Sequence, residues 1–380
     1  MRIKGNRLKN CETLFVLGAG ASYSITKSNS VGKMDSKEAP LDRNFTARIK
    51  HPTEYKKKQL WVDAAKSEVS KDFLHHQQFS EIGLERSISL QLANLEFLDS
   101  IDRSKMRKVK LKSNEFIEKI THLMTFELDR VKIRDSKIVE KFISKYFHQT
   151  SVEECPNRII TFNYDTLIDK YLIDRFKSIN KIYFDSIAPN SITTRNKEKF
   201  SHPLMLKLHG SINWKCKTEE YLKIFKHGNH ANETNNLDQG KTKSTITKTY
   251  NTKGCVYIDK IWLDDKVDAP GNDTSPLIIP PIENKPITNV AIFRYLWSYA
   301  FEYLHECKEL VIIGYSLPDS DTLANSLFSQ FDNEKLKKIT IVDPSTETVL
   351  KWVKLFERMK KKKFIIEYYT DFCSYINRLK

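Results

Sequence analysis

The chain has 380 residues, 40% of them hydrophobic and 11% aromatic, enough for one large domain with insertions or for two domains. Its 11 glycines and 12 prolines exclude collagen-like and low-complexity classes. With 63 lysines and arginines against 48 acidic residues, the net charge is +15, which suits anionic ligands such as dinucleotides or nucleic acid, and equally a plain lysine-rich surface.

The N-terminal segment is basic but has no apolar core of the signal-peptide kind, and no stretch approaches the ~20 apolar residues that span a bilayer. A first strand is expected over residues 13–17, ending at Gly18. Residues 23–58 are polar. From about 60 to 150 the pattern is helical, with Phe116, Ile117, Ile120, Leu123, Met124 and Leu128 at helical spacing, then Ile138, Val139, Phe142, Ile143 and Tyr146. This span reads as a helical insertion. Strands are expected again at 158–162 and 204–208, separated by a helix around Leu167, Ile168, Tyr171 and Leu172.

Residues 215–273, rich in Lys, Asn, Thr and Gly, read as a long excursion, partly hairpin. The last third alternates cleanly, with helices over 292–303, 323–328 and 349–356 and strands over 310–313, 339–342 and 364–366. Such alternation predicts an α/β, Rossmann-like, mostly parallel sheet of about six strands in a single domain over 1–380. The six cysteines are scattered without a CxxC pair, a pattern of reduced cytoplasmic thiols rather than a disulfide framework or a four-cysteine zinc site.

In sheets of this kind ligands bind at the carboxyl ends of the strands. Four expected strands end in small, polar turns. Gly18-Ala19-Gly20-Ala21-Ser22 lets backbone approach a pyrophosphate and offers helix N-terminal amides. Thr161-Phe162-Asn163-Tyr164-Asp165 sets an amide and a carboxylate two residues apart. Lys207-Leu208-His209-Gly210-Ser211 carries a histidine suited to general-base work. Gly314-Tyr315-Ser316-Leu317-Pro318-Asp319 supplies a glycine and a hydroxyl for phosphate oxygens. After the next strand, Asp343 suits ribose hydroxyls. Each motif also has a plain structural use: a tight turn at Gly18, helix caps at Asp165, Ser316, Asp319 and Asp343, and a core histidine at position 209.

The order GAGAS, TFNYDTL, KLHGS, GYSLPDSD, together with the segment Asn94-Leu95-Glu96-Phe97-Leu98, resembles the divergent prokaryotic sirtuin-like domains. The likeness spans most of the chain, from Leu14 to about Pro344. It implies NAD as substrate, with Gly18, Ala19, Gly20 and Ser22 lining the phosphate site and Thr161 among the NAD-binding residues. It places Asn163 and Asp165 near the nicotinamide and its ribose, and makes His209 the catalytic histidine. Gly314 and Ser316 are phosphate contacts, and Asp343 lies near the adenosine ribose.

The chain departs from the deacylases of that family. Phe162 stands where they carry glutamine, and their four-cysteine zinc module is missing. Cys216, Cys255, His227 and His230 are irregularly spaced, so no metal is expected.

The resemblance therefore implies an NAD hydrolase of anti-phage defence, with Asn163 and His209 as catalytic residues and water as acceptor. It further implies a homo-oligomer controlled by a separate HerA-like ATPase or short Argonaute. The alternatives are a protein deacylase or ADP-ribosyltransferase, a non-catalytic NAD or ADP-ribose sensor, and direct nucleic-acid binding by the basic surface.

Overall fold

The computed structural model describes residues 11–27, 37–41, 45, 84–99, 113–183, 202–225, 262–263, 274–283, 285–358 and 364–378. Six strands form one sheet: β1 (Cys11–Leu17), β2 (Arg158–Thr161), β3 (Met205–Lys207), β7 (Cys307–Ile313), β8 (Lys338–Val342) and β9 (Ile365–Tyr369). Their spatial order is β3-β2-β1-β7-β8-β9, and every neighbouring pair is parallel. This is a doubly wound, Rossmann-like order, in which the chain reverses its winding between the two central strands. Leu14, Phe15 and Val16 of β1 are fully buried, as the centre of a sheet covered on both faces requires. The six expected strands are thus all present.

Helices cover both sides of the sheet. On one side α1 (Ala19–Thr26), α4 (Ser136–Tyr146), α5 (Leu167–Phe176) and α11 (Phe372–Arg378) pack together. Phe142 of α4 sets its ring edge-on to Phe15, 4.9 Å between centroids, and meets Phe372 at 5.3 Å. Helix α4, capped by Asp135 through the Lys137 N–H, is therefore the crossover helix between β1 and β2. The expected insertion ends before it. Helix α8 (Ala291–Glu306) packs on β1, β3 and β7. It is anchored by the Tyr303 hydroxyl on the Pro203 carbonyl at 2.6 Å. Helices α9 (Thr322–Ser329) and α10 (Thr346–Glu357) follow β7 and β8, with Trp352 edge-on to Phe328 at 4.9 Å.

A second apolar cluster lies apart from this core. Helices α2 (Leu84–Asp99) and α3 (Ser113–Asp129) bring Ile88, Leu95, Phe116, Ile120 and Met124 against Ile212 and Ile278. The last two belong to a three-stranded antiparallel sheet, ordered β5-β4-β6, of β4 (Gly210–Lys217), β5 (Trp262–Leu263) and β6 (Thr274–Ile278). A short helix, α7 (Thr218–Lys223), follows β4, and its Tyr221 hydroxyl lies 2.7 Å from that of Thr121 on α3. So the two insertions, remote in sequence, bury their apolar faces on each other.

The excursion starts earlier than composition suggests, because β4 leaves β3 across Leu208 and His209 alone. At that corner Gly210 has φ +85°, and a Cβ there would lie 2.1 Å from the Leu277 carbonyl oxygen. Residues 23–58 are largely outside the described residues, as are His227, His230 and Cys255. Cys216 is a buried free thiol, and Cys11, Cys155, Cys307 and Cys373 are also free. Among the described residues no helix is long and apolar enough to cross a membrane.

Candidate functional site at the carboxyl edge

Because all six strands run parallel, Gly18, Phe162, His209, Gly314 and Asp343 emerge at one edge of the sheet. At the winding reversal the turns after β1 and β7 touch. Gly18 N–H donates to the Ile313 carbonyl at 3.0 Å, and Gly20 N–H donates to the Gly314 carbonyl at 2.9 Å. Gly314 has φ +59°, and a Cβ there would sit 2.3 Å from the Ala21 nitrogen. No other residue type fits that approach. Of the first-turn amides of α1, Gly20 is spent on Gly314 and Ala21 on the Gly18 carbonyl. The N–H of the exposed Ala19 takes no backbone bond among the described residues, so it is the amide left for an anion.

The turn after β2 wraps onto this corner. The Thr161 hydroxyl donates to the Leu17 carbonyl at 3.3 Å and accepts the Asn163 N–H at 3.1 Å, which fixes the backbone of Asn163. The Asn163 amide nitrogen donates to the Gly18 carbonyl at 2.8 Å and to Ser22 Oγ at 2.9 Å. A carbonyl only accepts, so the nitrogen must face Gly18, and both amide hydrogens are committed. The carbonyl oxygen, Oδ1, is left as an acceptor with no bond among the described residues.

The Ser22 hydroxyl in turn donates to Asp165 Oδ2 at 2.7 Å, and Asp165 Oδ1 accepts the Leu167 N–H at 3.1 Å. Asp165 is buried and serves as strut and helix cap at once. Burial raises its carboxyl above the usual range, overcoming the nearby Lys207 charge and the Ser22 bond that favour ionisation. Lys207, fully buried, is held by Asp169 at 2.9 Å and by the Asp165 carbonyl.

His209 stands at the corner between the two sheets, 6% exposed. Its ring lies edge-on to Phe162 at 5.3 Å and tilted to Tyr164 at 6.1 Å and Trp297 at 6.4 Å. Phe162 itself stacks flat on Tyr315 at 4.0 Å. Phe162 is therefore part of the aromatic wall that supports His209.

His209 Nε2 is 3.3 Å from Asp321 Oδ2, a close contact not aligned as a hydrogen bond. Tyr315 donates its hydroxyl to the same oxygen at 3.1 Å. The Lys285 ammonium is 3.8 Å from Asp321 Oδ1 and 2.6 Å from Glu85 of α2. Glu85 also accepts from the Ser320 hydroxyl at 2.5 Å. Burial would raise the Asp321 carboxyl, but His209, Lys285 and the Tyr315 bond together hold it well below the usual carboxylate range.

The remaining expected residues are peripheral. Ser316 is exposed on the turn after Gly314, next to Leu317, whose φ is +50°. Neither Ser316 nor Asp319 caps α9; Asp321 does, through Ala324, while Asp319 pairs with Lys351 at 2.5 Å. Asp343 is half-buried, accepts the Ser345 N–H at 2.8 Å, and is raised by burial, while Ser345 caps α10.

Sequence reasoning thus finds the turn residues but misses Asp321, Lys285, Glu85 and Tyr315 as a cluster. The one local signal was at Asp321, an acidic residue at the start of an apolar helix. Comparison with known protein families and with curated proteins finds no match.

Proposed function

We propose that the chain binds NAD across this carboxyl edge and hydrolyses its nicotinamide–ribose bond, giving nicotinamide and ADP-ribose, as the resemblance to sirtuin-like NADases implies. The observation that carries the reading is the fixed amide of Asn163. Its nitrogen is consumed by Gly18 and Ser22, so it offers the edge a rigid acceptor, suited to hold a water or ribose hydroxyl. In this reading the diphosphate lies over the Gly18–Gly314 contact, near the Ala19 N–H and Ser316, and Asp343 takes the adenosine ribose.

As the glycosidic bond breaks, nicotinamide leaves with the bonding electrons and the ribose develops oxocarbenium character. Water oriented by Asn163 Oδ1 then adds at the anomeric carbon, and His209 takes its proton. General-base help of this kind is worth about 10²–10⁴ in rate, with electrostatic stabilisation in the aromatic-walled corner adding to it.

The test is to incubate the purified chain with NAD and separate nicotinamide and ADP-ribose by chromatography, beside Asn163→Ala and His209→Ala. Release by the parent and a loss of at least about 100-fold in folded variants is expected. Full activity in either variant removes that residue from the mechanism. Transfer of label to protein, or a need for acyl-lysine, would instead mark an ADP-ribosyltransferase or deacylase. NAD binding without turnover would mark a sensor.

A hydrolase of NAD endangers the cell that holds it, so restraint is part of the proposal. We expect a cytoplasmic homo-oligomer acting in anti-phage defence under a separate partner, of the HerA-like ATPase or short Argonaute kind. Salt-dependent DNA affinity of the chain alone would point instead to its basic surface.

A further inference from the structure

The polar groups behind His209 are not explained by packing. A buried carboxylate, a buried ammonium and a second carboxylate arriving from α2 are costly to desolvate, and apolar residues of like volume would stabilise the fold at least as well. What they have in common is Asp321. Lys285 would compete with His209 for this carboxylate, but Glu85 holds the ammonium at 2.6 Å and leaves it 3.8 Å from Asp321. Tyr315 fixes the oxygen that faces His209. Phe162, Tyr164 and Trp297 limit the imidazole's swing.

We propose that Asp321 is the positioning residue of His209, drawing the ring proton to Nε2 and leaving Nδ1 as the proton acceptor for the water proposed above. The inference rests on the hydrolase reading for its chemistry, but its geometry stands apart from it. A carboxylate behind a histidine fixes tautomer and orientation and stabilises the imidazolium that forms. The 3.3 Å approach is misaligned, as hydrogen bonds at unliganded sites often are before substrate tightens them. A ring rotation that turned Nε2–H toward Oδ2 would complete the bond. No other acceptor is offered to Nε2 among the described residues, and the Lys285 ammonium and the Tyr315 hydroxyl beside Asp321 favour its carboxylate form.

The test uses the full chain labelled with ¹⁵N-histidine, as parent, Asp321→Asn and Asp321→Glu. Asparagine keeps the shape and remains a good helix cap for α9, so the variant is expected to fold, and its thermal midpoint checks this. One readout needs no turnover: the ¹⁵N shifts of His209, assigned by His209→Gln, report which nitrogen carries the proton. The parent is expected to hold a single Nε2–H tautomer. D321N is expected to lose it to a mixture, and D321E to keep it.

The second readout is NAD hydrolysis. D321N is expected to lower kcat by about 100-fold or more with KM within about twofold, and D321E to recover most of it. An Nδ1–H tautomer in the parent, or the same tautomer in parent and D321N, overturns the proposal even if NAD is cleaved. If the tautomer responds while the parent cleaves no NAD, the positioning role stands and the hydrolase reading falls.

Discussion

Around Asn163 the direct partners are a neutral carbonyl and two hydroxyls, with the Asp165 carboxyl one bond further out, all within the first turns after β1 and β2. Around His209 they are an ammonium and two carboxylates with two hydroxyls, and they come from α2, the segment before α8, and the turn between β7 and α9. The first half is a closed set of hydrogen bonds between two neighbouring strand ends. The second is an ion network that spans both apolar cores, since Glu85 and the helix bearing it pack in the second cluster. Neutral bonds over short spans fix a single group cheaply. Charges over long spans make the site depend on how the insertions dock.

The comparison breaks most visibly at Glu85. Glu85→Gln leaves the Lys285 ammonium, itself 4% exposed, with Asp321 as its counter-charge, and removing one partner of a buried pair costs about 3 kcal/mol or more. Urea unfolding is expected to show that loss, with NAD turnover falling as Lys285 pulls Asp321 from His209. Glu85→Gln combined with Lys285→Met is expected to recover part of the stability, because the stranded ammonium is gone while Asp321 keeps only the Tyr315 bond and His209 beside it. If the single and double variants are equally destabilised, the ion pair is not the cause.

A change of pH separates the two cores. His122 of α3 is buried, and burial pushes its pKa down to about 4 from 6.5. The folded state therefore favours the neutral ring. This contribution is complete above pH 6.5 and is lost as pH falls from 6.5 toward 4, about 3 kcal/mol in all. His122→Phe is expected to flatten the urea midpoint across that window. An unchanged pH slope in the variant would assign the acid sensitivity elsewhere.

The smallest expected effect lies in the neutral half. Ser22→Ala deletes one acceptor of Asn163 and one donor to Asp165, while the Gly18 carbonyl still orients the amide. A cost of about 1–2 kcal/mol follows, seen as a drop of a few degrees in the thermal midpoint. Turnover should fall far less than in Asn163→Ala. Loss of all activity in S22A would show that the Gly18 bond alone does not hold the amide.

The neutral half was legible in the sequence because its parts sit at the ends of apolar runs: Gly18 to Ser22 after β1, Thr161 to Asp165 after β2. Parallel strands then bring such turns together by topology alone. The ionic half was not. Glu85, Lys285 and Asp321 are charged residues in unremarkable local settings, and nothing in spacing or periodicity ties a helix of the insertion to a segment two hundred residues later. Strand β4 was overlooked for a related reason. Its pairing partners, β5 and β6, lie beyond a long polar stretch, and the run Gly210–Lys217 follows β3 so closely that the strand break depends on the single positive φ of Gly210. Helix α4 was recognised but assigned to the insertion, since helical periodicity says nothing of what a helix packs on.

The sheet order also governs how the chain meets itself during synthesis. Strand β1 is among the first described segments made, yet one of its two neighbours, β7, pairs Cys307 with Cys11. At ~5–20 residues per second a ribosome takes about 15–60 s to reach that partner. Throughout this interval the apolar run Thr13 to Leu17 has an open edge, which makes the nascent chain a client for chaperones and places its final closure after most of the polypeptide has emerged.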